Sequence, residues 1–137
     1  MNSMKRQNVT SGSLYEPLIG IPRACRIDNF ISVSGTAPIG PNNKTVGIEN
    51  PVIQIRHRIE IIQQALQKVG ADLTDVIRTR LLLKRIDDWK EIAAVHGEYF
   101  KDIRPACTIF EVSGFVNPEW LVHVEVDAVI SNDCYVA

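Results

Sequence analysis

Residues 121 to 130 read LVHVEVDAVI, and no other stretch narrows the fold so far. In an extended chain Val122, Val124, Val126 and Ala128 share one side while His123, Glu125 and Asp127 share the other, because side chains alternate along a strand. A strand with one dry and one wet side belongs to a sheet covered on a single face, so the remaining chain must supply the cover.

Val52, Ile55, Ile59, Ile62, Leu66 and Val69 recur at helical spacing, opened by Asn50-Pro51 and closed by Gly70. A second helix is predicted from Asp88-Trp89-Lys90-Glu91, read as a capping box, with Trp89, Ile92, Val95, Tyr99 and Phe100 inside; it stops before Arg104-Pro105. IDNFISVSG predicts a hairpin turning at Asp28-Asn29, and TAPIGPNNKTVGIEN an exposed loop. Residues 76–84 read as a strand with Ile77, Thr79, Leu81 and Leu83 on one side and Arg78, Arg80 and Lys84 on the other; 106–112 is a further strand. This order predicts an α+β sandwich with two helices on one face of the sheet. The opposite face would then carry Arg78, Arg80, Glu111, His123, Glu125 and Asp127 beside Cys107, Ile109 and Leu121. Such a mixed face is expected to be buried against other copies of the chain, with a polar cavity between them.

Composition excludes several function classes. A chain of 137 residues, 45% apolar and 23% charged, fits one domain spanning 1–137. Fifteen basic against 16 acidic residues give no overall field for a nucleic-acid backbone or an anionic membrane, so neither partner is expected. No apolar run approaches the roughly 20 residues of a membrane span, and MNSMKRQNVT lacks the apolar core of a signal peptide, which predicts a cytoplasmic protein. Cys25, Cys107 and Cys134 form no CxxC pair and read as reduced thiols. His57, His96 and His123 lack metal-ligand spacing, and no metal is assigned.

SVSGTAP (32–38), VGADLTDVIRTRLLL (69–83), YFKDIRPACTIFEV (99–112) and VHVEVDAVI (122–130) occur in an order that resembles the Rid family, the YjgF-type reactive intermediate deaminases. The similarity spans about residues 15–130, leaving 131–137 as a tail. The resemblance implies a chorismate-mutase-like α+β fold with a mixed six-stranded sheet and two helices on one face. It also implies a homotrimer with three clefts between subunits, hydrolysis of small enamine or imine metabolites, and no cofactor. In deaminating members an arginine after Pro-Ala clamps the substrate carboxylate, a task suited to the planar guanidinium fork. Here Pro105-Ala106 is followed by Cys107, so the clamp is missing.

The resemblance carries other roles onto this chain. Ser34 and Gly35 occupy the family's Ser-Gly position, where the serine orients ligand and the glycine admits close backbone approach. Glu125 aligns with the glutamate that positions or activates water; the competing reading pairs it with Arg78 or Arg80 at a subunit interface. Ile21 stands where a tyrosine usually lines the cleft, and Arg23 where a glutamine is usual. Arg23 is read either as a replacement anion contact or as a surface arginine paired with a carboxylate. Cys107 reads as a cleft-lining thiol rather than a nucleophile, although His123 is close enough in the strand order to approach it. Ile109 and Trp120 complete the expected ligand-binding set, Trp120 with Phe115 flanking the loop before the last strand; packing anchor is the other reading of Trp120. An RNA-cleaving activity sometimes attributed to relatives gains nothing from the balanced charge.

Overall fold

The computed structural model describes residues 5–40 and 42–131, so Cys134 lies outside the described residues. In chain order the elements are β1 (Arg6–Val9), α1 (Tyr15–Ile19), β2 (Ala24–Ile27), β3 (Phe30–Thr36), α2 (Pro51–Lys68), β4 (Val76–Leu83), α3 (Trp89–Phe100), β5 (Ala106–Glu111) and β6 (Val122–Val129). The strands form one six-stranded sheet in the order β1-β2-β3-β6-β4-β5. Only β4 and β5 are parallel, with α3 as their crossover; every other neighbouring pair is antiparallel.

The two-sided strand takes a central place. Val122, Val124, Val126 and Ala128 of β6 are fully buried beneath Ile55, Ile59, Ile62 and Leu66 of α2, joined by Ile92, Val95 and Phe100 of α3. Helix α2 starts where expected: the Asn50 side chain accepts the Ile53 N–H at 3.1 Å, and Pro51 fills the first turn. It ends in a Schellman motif, in which Gly70 takes φ of +85° while Ala71 N–H reaches Leu66 O at 2.9 Å and Gly70 N–H reaches Gln67 O at 3.1 Å. The β2–β3 hairpin turns at Asp28-Asn29, with Asp28 at φ of +55°.

Four expectations are corrected. Ile77 does not share the dry side of β4, because the register slips between Val76 and Arg78; the bulge turns Ile77 outward, where it is 50% exposed. The capping box at Asp88–Glu91 does not form: a 3₁₀ turn over Ile86–Asp88 leaves Asp88 in helical geometry, and its carboxylate accepts from Arg85 Nε instead. Trp89 is consequently 45% exposed. On β5 the register opposes Cys107 to Thr79, Ile109 to Leu81 and Glu111 to Leu83, so these three lie on the helix side, not beside Arg78 and Arg80. Leu121 is buried rather than exposed on the open face. The open side carries Ala106, Thr108 and Phe110 of β5 instead, opposite Arg78, Arg80 and Leu82.

Two substitutions separate the covered and uncovered faces. Ile59→Ala should cost about 2–5 kcal/mol in urea unfolding, since it opens a cavity under the sheet. Trp89→Ala should stay within roughly 0.5 kcal/mol of wild type, as surface changes do.

Candidate functional site

Strand β6 is flanked by a bulge on each neighbour. On β3 the register passes from Val33↔Val126 to Thr36↔Val124, so Ser34 and Gly35 together oppose Glu125. A Cβ on Gly35 would stand 3.4 Å from His123 Nδ1 and 3.9 Å from Glu125 Oε2, so the bare backbone leaves room in front of both groups. Ser34 is tied back to the chain before β2, its hydroxyl donating to Pro22 O at 2.9 Å and its N–H to Arg23 O at 2.9 Å.

Glu125 stands half-exposed on the open face, 3.5 Å from Arg80 Nη1; the same nitrogen lies 3.4 Å from Asp127, which also accepts from the Ser32 hydroxyl at 3.0 Å. These contacts are long and partly solvent-exposed, worth at most about 1 kcal/mol, and hold Glu125 only loosely. Beside it His123 is packed between rings. Phe115 stacks on it at 4.2 Å with 12° between planes, Trp120 lies 5.4 Å away, and Tyr15 meets Trp120 edge-on at 5.8 Å. Burial, with the charges of Arg58 and Arg23 behind it, pushes the His123 imidazole down to about 3.

Behind the bulge lie two buried guanidinium groups. Arg23 Nη1 donates to Gly35 O at 2.9 Å and Thr36 Oγ1 at 3.3 Å, while Nη2 lies 3.4 Å from Glu16. Burial lowers the Arg23 pKa and Glu16 opposes the shift. Burial likewise raises the Glu16 carboxyl, but hydrogen bonds from Ser11 and Thr10 and the Arg23 charge outweigh it and leave the group below the usual range. Arg58 of α2, completely buried, donates from Nη1 to Thr36 O.

Of the residues singled out in the sequence, Ser34, Gly35, Glu125 and, through His123, Trp120 come together. Arg23 is neither a surface arginine nor part of the open face. It is buried against Glu16 and holds the bulge from behind, lining a cavity of about 400 Å³ on the helix side with Thr36, His57, Gln64 and Lys68. Ile21 is half-buried and donates its N–H to Glu16 O. Cys107 is exposed on the edge strand and Ile109 packs toward the core, both on the helix side. Within one chain the approach of His123 to Cys107 therefore does not occur: His123 opposes Leu82 on the open face, and β4 lies between.

Arg58 was hidden in plain periodicity. Positions 55, 58, 59, 62, 65 and 66 form the buried stripe of α2, so a charge at 58 faces the sheet, and the spacing alone could have marked it. Gln54, one turn earlier, is also buried but fully engaged: it donates to Gly47 O and Glu119 O and accepts from Leu121 N–H, pinning the segment before β6. Among the described residues no group of three His, Cys, Asp or Glu side chains is placed to hold a metal, and no helix is long and apolar enough to cross a membrane.

The family model described as Endoribonuclease L-PSP matches residues 18–130. The chain belongs to the YjgF/Rid family. The 3-aminoacrylate deaminase RutC of Acinetobacter baylyi is 34% identical over 79% of this chain and 85% of its own. A RutC family protein of Pyrococcus abyssi is 30% identical over 80% and 87%. Among solved structures Rv2704 of Mycobacterium tuberculosis, a YjgF/YER057c/UK114 family member, superposes with a TM-score of 0.84 at 36% identity, covering 92% of this chain and all of that one. The six-stranded sheet with two main helices is thus the fold of the family.

Neutral His123 should make this Rid-family chain acid-sensitive. Its folded pKa of about 3 lies below the unfolded value near 6.5, so the unfolded chain takes up more protons and stability falls as pH drops from about 6.5 toward 3. His123→Phe should flatten that decline. Urea midpoints of the two proteins should diverge progressively below pH 6.5, wild type losing the more; parallel curves would remove His123 as the cause.

Proposed function

We propose that the protein hydrolyses a small enamine or imine acid, as a homotrimer, in clefts where the open sheet faces of neighbouring chains meet. The observation that carries this reading is the Glu125 carboxylate set in front of the bare Gly35 backbone on that face. The 3-aminoacrylate deaminase RutC, an enamine-processing relative at 34% identity, supports the substrate class.

The chemistry asks little of the protein. Protonation of the enamine carbon gives an iminium whose carbon is electrophilic. Water held by Glu125 adds to that carbon as Glu125 takes its proton, giving a carbinolamine; Glu125 returns that proton to the nitrogen, the C–N bond breaks as the carbinol O–H proton passes to solvent, and ammonia and a carbonyl acid leave. Placing the water and excluding bulk solvent provide most of the acceleration, and no cofactor takes part. Ser34 fixes the bulge that presents Gly35, and Trp120 with Phe115 packs His123 as an apolar wall.

A second reading is a ligand-binding trimer without turnover, favoured by Cys107 at the family's clamp position and by the contact of Glu125 with Arg80. Turnover separates the two. With 2-aminoacrylate or 3-aminoacrylate generated in situ, wild type should release ammonia faster than the uncatalysed background, and Glu125→Gln should lower kcat about 100-fold or more. Activity that appears only in Cys107→Arg would instead favour the binding module.

A further inference from the structure

Five atoms of buried side chains lack a hydrogen-bond partner among the described residues, and four belong to three neighbours: Nε and Nη2 of Arg58, Nε1 of Trp120 and Nε2 of His123. The two arginine atoms are not an arbitrary pair. Nε–H and one Nη2–H point the same way along one edge of the guanidinium, the edge that grips a carboxylate with two parallel bonds. Arg58 spends its third nitrogen on Thr36 O and leaves this whole fork unused.

The charge count points the same way. Behind the bulge Arg23 is matched by Glu16, in front of it His123 is neutral, and among the described residues no ion pair reaches Arg58. One buried positive charge is therefore left over, in a place where an unpaired charge is strongly unfavourable. Trp120 Nε1 can only donate, and His123 donates in its Nε2–H tautomer, so this set of donors suits an acceptor carrying one negative charge.

We propose that Arg58, with Trp120 and His123, anchors the carboxylate of the small acid processed at Gly35 and Glu125, taking over the task of the arginine absent at position 107. This rests on the reading of the open face as the reaction site. Gly35 joins the two halves: it faces His123 and Glu125, and the next residue, Thr36, is held by Arg58. An acid seated on Arg58 thus lays its carbons along Gly35 toward Glu125.

The test uses pyruvate, the product acid of 2-aminoacrylate, and its uncharged methyl ester, with the full chain. Adding pyruvate to wild type should shift the Arg58 Nε–H resonance downfield, and methyl pyruvate should leave it in place. Arg58→Met should weaken pyruvate binding at least tenfold in calorimetry with little change for the ester. Arg58→Lys, which keeps charge but loses the fork, should fall between. A merely structural Arg58 would affect both ligands alike. An unmoved Nε–H resonance, or equal pyruvate affinity in wild type and Arg58→Met, overturns the anchor. If Glu125-dependent turnover persists under either result, the anchor alone has failed; if wild type neither turns over the enamines nor binds either probe, the reaction site has failed with it.

Discussion

Both long helices spend their apolar faces on the same side of the sheet, and the rest of the architecture follows from that asymmetry. Ile55, Ile59, Ile62, Leu66, Ile92 and Val95 close over β6, β4 and β3, and every apolar residue of the β6 alternation is consumed beneath them. On the other side Phe30, Ile77, Phe110 and Val129 stand 37–50% exposed around Arg80, Glu125 and Asp127. Exposed aromatic and branched residues interleaved with charges are costly to leave in water and poorly suited to a packed helix. A further sheet of the same kind meets both needs, with apolar residues as contact and charged ones as lining.

The bulge on β3 shapes the face around Glu125. A regular ladder would place one residue of β3 opposite Glu125; the bulge places two, and a glycine among them clears space at the carboxylate. Holding such an irregularity takes fixed partners, and the chain supplies them from the buried side as two guanidinium groups bonded to the carbonyls of Gly35 and Thr36. Helix layer and open face are thereby coupled through the backbone of β3 rather than through side chains crossing the sheet.

Much of the fold was legible in the sequence because its strongest signals are periodic. The alternation of β6, the stripe of α2 with Asn50-Pro51 and Gly70 at its ends, and the Asp28-Asn29 hairpin all stand where the pattern puts them. What was missed has local causes. β1, reading RQNV, is an edge strand with a single apolar residue, so it carries no alternation to detect. A one-residue bulge reverses the face of Ile77 without any mark in composition, and the 3₁₀ turn before α3 robs Asp88 of the geometry a cap requires. The site divides similarly. Glu125, Ser34 and Gly35 are legible through family motifs, even though Ser34 and Gly35 sit in the β3 bulge, whereas a charge inside the apolar stripe of α2 reads as a break in the pattern and hides Arg58.

Assembly is the claim on which the site depends, since Glu125 lies on a face that a lone chain leaves open to water. Sedimentation equilibrium of the full chain tests it most directly. The account predicts a particle of about three times the 15.3 kDa chain mass that persists on dilution into the low micromolar range. A species that remains at 15.3 kDa at every concentration would contradict it.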